Sequence, residues 1–350
     1  MDALKTWFST MTFDSQHCFL CGVSLNGSNS TVEHVFPKWL QHKHNLWDQT
    51  MGLPNKSLIK YRQLVVPCCK ECNNGYLANL EDTMKNAFSK GVEHIRELDS
   101  TIIYRWLMKI LYCLMYKDLS LSWNRKDKES GTILTPEFLS EHKLMFDCMQ
   151  SIRGNIALDP NYASIFIFEV HKHISNDKNK DFFYADDLIQ AQIVIQSGEI
   201  GIVCCFGDNK AIERRLSRYL KPFKKIKLHQ IQFRQIIADV YYNRTLLKGG
   251  STGILTKDQV LFIPPYKNTY DEYNYKNYAI VLYYFLRDFD IEFEKIYSEE
   301  VDAVLNLLIN NDKRIIIYDD QNNYSLGDIH NEYSGELFEN KNEVNSARYN

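Results

Sequence analysis

The sequence predicts an α+β chain: a small cysteine-rich N-terminal unit, a helical connector, and a mixed α/β C-terminal domain. Three observations carry this expectation. Two CxxC pairs, Cys18–Cys21 and Cys69–Cys72, fall within one loop-rich stretch. Apolar residues recur at helical spacing over 101–119 and 136–152. β-branched and aromatic runs at Tyr162–Val170 and Ala191–Phe206 have the composition of strands. With 45% hydrophobic and 24% charged residues in 350, the composition supports a sizeable core and excludes disordered or collagen-like chains.

Taken in order, residues 1–95 read as a loop-rich unit closed by a helix near Asn73–Ser89. The window Ile102–Leu119 is the most apolar, but Arg105, Lys109 and Lys117 at helical spacing make it an amphipathic core helix, not a membrane span. Thr135-Pro136-Glu137 supplies a capping residue and a first-turn proline for the next helix. Ser197-Gly198-Glu199 is a hairpin turn between two apolar halves. Lys210–Leu220 reads as a basic helix, and Ile226–Tyr242 suits either a strand or a helix. Pro264-Pro265 breaks the chain before a helix at Tyr275–Arg287. A further helix over Ser298–Asn310, a short strand Arg314–Tyr318 and a polar tail from Gln321 complete the reading. The expected domains are 1–95, a connector 96–155, an α+β domain 156–320 and a tail 321–350.

The N-terminal residues carry Asp2 and Asp14 and lack the apolar core of a signal peptide, so a cytoplasmic setting without a membrane is expected. Nine cysteines, an odd number, argue against a disulfide framework. Formal charge is −3 overall, which excludes an indiscriminate polycation. It is unevenly spread: residues 200–250 hold 11 basic and 3 acidic side chains, whereas 268–350 hold 7 basic and 17 acidic.

Each CxxC turn lets two thiolates converge on one ion, and two such turns complete the four-sulfur tetrahedron that zinc prefers. All four positions are filled, so Cys18, Cys21, Cys69 and Cys72 predict a closed structural site with no place for a reactive water. Cys68 is a possible substitute ligand, although only Cys69 gives the two-residue spacing.

Between the pairs lies Thr31-Val32-Glu33-His34-Val35-Phe36-Pro37, and Asn73-Asn74-Gly75 follows the second pair at once. Here the chain resembles the HNH, or ββα-metal, nuclease family. The shared pattern is a CxxC hairpin, an acidic-His-x-x-Pro strand, then CxxC followed by His or Asn at a helix start. Cys18, Cys21, Glu33, His34, Pro37, Cys69, Cys72 and Asn73 fall in register over residues 15–90. The segments EHVFPKWL and CKECNNGYLANLE are similar to a subgroup of bacterial HNH proteins with long C-terminal extensions, several of which act in phage defence.

The resemblance implies a metal-dependent endonuclease hydrolysing DNA. His34 would be the general base, while Glu33 and Asn73 would hold a catalytic Mg²⁺ or Mn²⁺ beside the structural Zn²⁺. Hydrolysis of a phosphodiester needs a water, a base near neutral pKa and a cation for the developing charge. Adjacent strand residues point to opposite faces, so sharing one site requires the chain to bend near Glu33, with Pro37 ending the strand. Asn73 also suits a helix N-cap, a part that Asn74 could take instead. Two departures stand out: Glu33 is one methylene longer than the family's usual Asp, and Leu64 occupies the place of a bracing Asn, with Gln63 as a possible substitute. Trp39 and Tyr76 read as core aromatics, and His42 and His44 as solvated loop residues.

The segment KAIERRLSRYLKPFKKIK places Arg214, Arg218 and Lys221 on one helix face, a stripe able to contact phosphates or to meet the acidic C-terminal region. The expected partners are DNA and, for a defence effector, a companion protein such as an ATPase encoded nearby; a homo-oligomer stays open. Two rival readings are a non-catalytic zinc module that binds nucleic acid, and an adaptor in which residues 100–350 do the work.

Overall fold

An extended pair of strands comes first. In the computed structural model, which describes residues 8–173, 178–249, 252–256, 258–263, 265–289 and 291–309, strand β1 (Ser30–His34) leads into helix α1 (Lys38–Lys43). A small hairpin of β2 (Thr50–Gly52) and β3 (Leu58–Lys60) follows, and β4 (Val65–Cys69) returns antiparallel to β1. Ser30 lies opposite Cys69 and His34 opposite Val65. Helices α2 (Ala78–Lys90), α3 (Val92–Glu97) and α4 (Ser100–Asp118) come next. The hairpin β5 (Ser122–Asn124) and β6 (Asp127–Thr132), helices α5 (Pro136–Glu141) and α6 (Lys143–Met149), and the short β7 (Ala157–Leu158) complete this run.

Helix α4 is apolar almost all round, as a helix enclosed by its own unit must be. Asp99 caps it by accepting the Thr101 N–H at 2.9 Å, and Ile103, Trp106, Leu107, Ile110, Leu111 and Leu114 are buried. Thr135 caps α5 and Pro136 opens it, as the sequence predicts. Residues 96–155 therefore belong to the first compact unit, with α4 inside it, and do not stand apart as a connector.

The second unit centres on a five-stranded sheet. Its strands are β8 (Ala163–Val170), β9 (Phe182–Asp187), β10 (Gln192–Ser197), β11 (Ile200–Phe206) and the short β12 (Lys227–Leu228), ordered β12-β8-β11-β10-β9. Gly198, at φ +65°, makes the expected turn between β10 and β11. Helix α7 (Ala211–Leu220) precedes β12, which runs parallel to β8, and α8 (Gln230–Leu246) follows. The ambiguous stretch 226–242 is thus a two-residue strand and then a helix, started by a His229 cap with Gln232 reaching back to the His229 N–H at 3.0 Å.

After β13 (Leu247–Lys248), the hairpin of β14 (Thr252–Leu255) and β15 (Gln259–Ile263) returns to the first unit, where β15 runs parallel to β7. The chain then re-enters the second unit with β16 (Thr269–Tyr270), paired to β13, and helix α9 (Tyr275–Leu286). Phe166, Val203, Ile236, Tyr278, Leu282 and Phe285 share its core. Where a helix over Ser298–Asn310 was expected, the short helix α10 (Phe293–Ile296) gives way to a hairpin of β17 (Tyr297–Ser298) and β18 (Ala303–Val304). Asp302 takes a left-handed φ of +47°, which Asp tolerates, and its carboxylate accepts the Tyr297 hydroxyl at 2.7 Å. That turn wins over the helical spacing of Val301, Val304, Leu305 and Leu308. The expected strand Arg314–Tyr318 and the tail 321–350 lie outside the described residues. Among the described residues, no helix is long and apolar enough to cross a membrane.

Helix α8 meets β11 closely at Gly201, where an added Cβ would sit 2.3 Å from the Phe233 ring. Gly201→Ala should therefore overpack the second unit and cost about 1–3 kcal/mol in denaturant unfolding. An unchanged midpoint would show that Phe233 has room to move.

Candidate functional site

The first CxxC pair is shaped by a tight turn. Cys18 N–H bonds to the Val23 carbonyl at 2.9 Å and Gly22 N–H to the Cys18 carbonyl at 2.8 Å. Gly22 holds φ +73°, where a side chain would be strained and its Cβ would meet the Met11 sulfur at 2.7 Å. The Phe19 N–H, bonded to the Pro67 carbonyl at 2.9 Å, ties this turn to β4. Cys69 ends β4, and Cys72 opens a widened helical turn, Cys72–Leu77, that runs into α2. The Cys72 N–H points at the Cys69 sulfur, 3.4 Å away.

Cys18, Cys21, Cys69 and Cys72 present their sulfurs within 4.8 Å of one another, forming a group able to hold a metal ion. Four sulfurs at about 2.3 Å from one ion would stand about 3.8 Å apart; Cys21 and Cys69 are 3.7 Å apart. The donor chemistry and spacing fit a structural metal such as zinc. Cys68 lies 3.9 Å from Cys18 but stands outside the group of four, as the two-residue spacing predicts. Packed this closely, the four thiols compete for a negative charge. Hydrogen bonds from Cys21, Cys68 and Cys72 hold Cys18 far below the usual thiol range, while the same Cys18 charge pushes Cys21 up to about 12 and Cys72 higher still. A divalent ion resolves this competition because coordination deprotonates every thiol it binds.

The strand carrying Glu33 and His34 keeps its antiparallel register through His34, and the Val35 N–H continues it to the Leu64 carbonyl at 2.9 Å. The bend expected near Glu33 comes just beyond the strand, at Val35 and Phe36, and Pro37 then leads into α1. Glu33 and His34 accordingly have different surroundings. Glu33 is buried and forms an ion pair with Lys109 of α4. The Lys109 ammonium also lies 2.8 Å from a Glu81 carboxylate oxygen of α2, and donates to the His34 carbonyl at 2.6 Å and to that of Val35 at 3.3 Å.

Burial pushes the Glu33 carboxyl up against the opposing pull of Lys109. Burial also works against the Lys109 charge, yet Glu33 and Glu81 more than offset it and hold Lys109 above the usual lysine range. An ammonium already neutralises Glu33, so these residues do not fit a divalent ion held by Glu33.

His34 is half-buried, and its ring stacks on Trp47, with centroids 5.7 Å apart and planes at 27°. Trp47 also stacks on exposed His42, at 5.0 Å and 20°. Burial, then the nearby Lys38 and Lys109 ammonium groups, pushes the His34 imidazole down to about 4. The ring is therefore neutral at physiological pH. Asn73 donates its amide to the Thr31 hydroxyl at 3.0 Å and to the Val32 carbonyl at 2.9 Å, and Thr31 in turn donates to the Cys68 carbonyl at 2.9 Å. It thus braces β1 from the residue after the last cysteine. Neither α2 nor the turn before it has a side-chain cap, so the capping part expected of Asn73 or Asn74 is unfilled.

Leu64 is buried and joins the strands only through its backbone, while Gln63 accepts the Lys60 N–H at 3.3 Å within a local turn. Trp39 packs against Phe88 and Trp106, as a core aromatic should. His44, expected in solvent, is buried.

Lys109, Glu81 and Trp47 were not singled out by their sequence context. Lys109 looked like one polar stripe of an amphipathic helix; it is instead wholly enclosed. The available signal was a lysine flanked by Met108 and Ile110 in the most apolar window of the chain. In the second unit, Arg214, Arg218 and Lys221 lie exposed along α7 and its C-terminal cap. Arg215 faces inward, with its guanidinium 3.8 Å from the centre of the Tyr270 ring and a 2.7 Å bond to Asn243.

A metal held by the four cysteines would couple its binding to the folding of the loops they join. Purified protein should carry about one zinc per chain, and Cys69→Ser should lose the metal and become protease-sensitive around β1 and β4. Metal-free protein with the same protease resistance would contradict the assignment.

No protein-family model, curated protein or solved structure matches this chain.

Proposed function

We propose that the chain is a DNA endonuclease of the ββα-metal class, braced by a structural zinc ion and serving as an effector of bacterial phage defence. The observation that supports this reading most is geometric: an imidazole held at the end of a strand tied to a four-cysteine group. His34 closes β1, Trp47 stacks on its ring, Asn73 braces the strand behind it, and Cys69 and Cys72 join strand to helix. The unprotonated imidazole can take the proton of a water attacking a phosphodiester, as a weaker base than an ordinary histidine, and the strand and stack restrict its orientation. The defence role rests on the resemblance of the EHVFPKWL and CKECNNGYLANLE segments alone. A companion ATPase and self-association belong to the same proposal.

The commitment of Glu33 to Lys109 favours a second reading, a zinc module that binds nucleic acid without cutting it. One assay separates the two: purified protein incubated with plasmid DNA, single-stranded DNA and RNA, each with and without Mg²⁺ or Mn²⁺. Cleavage supports the endonuclease; retention without cleavage under every condition supports the binding module. The metal arms also show whether a divalent ion is needed despite the placement of Glu33.

If His34 is the base, His34→Ala should reduce cleavage by about 10²–10⁴-fold with zinc content unchanged. Loss of no more than about threefold would remove His34 from the chemistry. Its depressed pKa also fixes the acid limb. The imidazole stays neutral as pH falls from 6.5 toward about 4, so kcat/KM should hold over that range and decline only near the lower value. Over the same interval the unfolded state takes up the proton first, so acidification should favour unfolding. An acid limb centred at 6.5 or above would contradict this placement.

The α7 stripe is proposed to contact DNA phosphates. Replacing Arg214, Arg218 and Lys221 with Ala should weaken binding across sequences, and each lost contact should flatten the slope of log affinity against log salt by about 0.9. An unchanged slope with a lowered melting temperature would assign these residues to packing instead.

A further inference from the structure

We propose that Lys109 is a positioning residue for His34: a resident cation whose ammonium fills an oxygen cage at the end of β1 and fixes the backbone that carries the imidazole. This deepens the nuclease reading and rests on it for the role of His34. The cage contains Glu33, Glu81 and the carbonyl oxygens of His34 and Val35, drawn from β1, α2 and the residue after β1. Lys109 has no exposed surface, and Glu33 is buried beside it.

The arrangement resembles the oxygen shell that a hard cation would take, but a side chain of the same protein supplies the charge. Two of its four contacts are backbone carbonyls, one of them from His34 itself. A lysine serving only to neutralise Glu33 has no need of them. The 2.6 Å bond to the His34 carbonyl is charge-assisted and buried, the kind of hydrogen bond that holds geometry most firmly. Beyond this point only the Val35 N–H bond to Leu64 continues the ladder before Pro37. The strand end would otherwise fray, and misplacing a base by about 1 Å costs about 10²-fold in rate.

The test uses the full-length, metal-loaded chain. Glu33→Gln with Lys109→Met removes the buried pair together and leaves Glu81, the more exposed carboxylate, to solvent. Glu33→Gln with Lys109→Gln restores a neutral donor for the carbonyls. Tyr116→Phe, which deletes a 2.8 Å bond from α4 to the Asp14 carbonyl, is the control for general loss of stability in that helix. Two readouts are taken on each protein: kcat and KM for DNA cleavage, and hydrogen exchange of the Val35 amide.

The Met pair should lower kcat by about tenfold to a hundredfold with KM within about threefold. Exchange at Val35 should quicken by about tenfold, while the amides of Cys18 and Gly22 stay protected. The Gln pair should recover part of both losses, and Tyr116→Phe should show neither. If the Met pair unfolds, the Gln pair compared with wild type carries the same test.

Unchanged kcat and Val35 exchange would overturn the assignment. So would faster exchange spread evenly over the first unit with kcat per folded molecule intact. If wild type cuts no nucleic acid, the nuclease reading falls, and exchange alone decides the clamp. Acceleration confined to Val35 and its neighbours keeps it, and uniform or absent acceleration removes it.

Discussion

The first unit depends on four sulfur atoms. Between residues 8 and 69 it has one five-residue strand pair, a six-residue helix, a three-residue hairpin and two single 3-10 turns, with loops joining them. Cys18 and Cys21 sit on a turn that reaches β4 through one backbone bond, and Cys69 and Cys72 sit where β4 becomes α2. Gathering their sulfurs within 4.8 Å fixes the turn, the strand and the helix start relative to one another. A metal held there would also fix Asn73, the next residue, which braces β1 through Val32.

A second constraint acts at the C-terminal end of β1. Burying a lysine with two carboxylates costs desolvation that pairing only partly returns, so such a cluster is weak evidence for stability. What it supplies here is position: helix α4, far along the chain, holds the carbonyls of His34 and Val35. The strand is gripped by Asn73 at Val32 and by Lys109 at His34. Its imidazole is turned toward Trp47 and kept neutral by burial and by neighbouring ammonium groups. On the proposed function, scaffold and chemistry meet in this five-residue strand.

Much of this was legible in the residues because it is local. A CxxC pair is a turn with a spacing, and both were readable, as were the caps Thr135-Pro136 and the turn at Gly198. Helix α4 followed from the spacing of its apolar residues, and α2, α7 and α9 lie where the sequence also predicts helices. The cage around Lys109 was not legible, since Glu33, Glu81 and Lys109 are distant in sequence and only packing brings them together. A lysine in an apolar helix has the same sequence signature whether it snorkels outward or is enclosed. The hairpin at β17 and β18 was hidden for a different reason: apolar spacing there imitates a helix, and one left-handed aspartate decides otherwise. The bend expected at Glu33 came from resemblance and not from residues, and it lies beyond the register of β1 with β4.

X-ray absorption at the zinc edge of the purified, full-length protein tests the central claim most directly, because it counts the atoms around the ion. The account predicts a single shell of four sulfurs at about 2.3 Å, with no nitrogen or oxygen neighbour. A shell with two or fewer sulfurs, or one completed by water, would contradict the cross-link on which the strand, its brace and its imidazole depend.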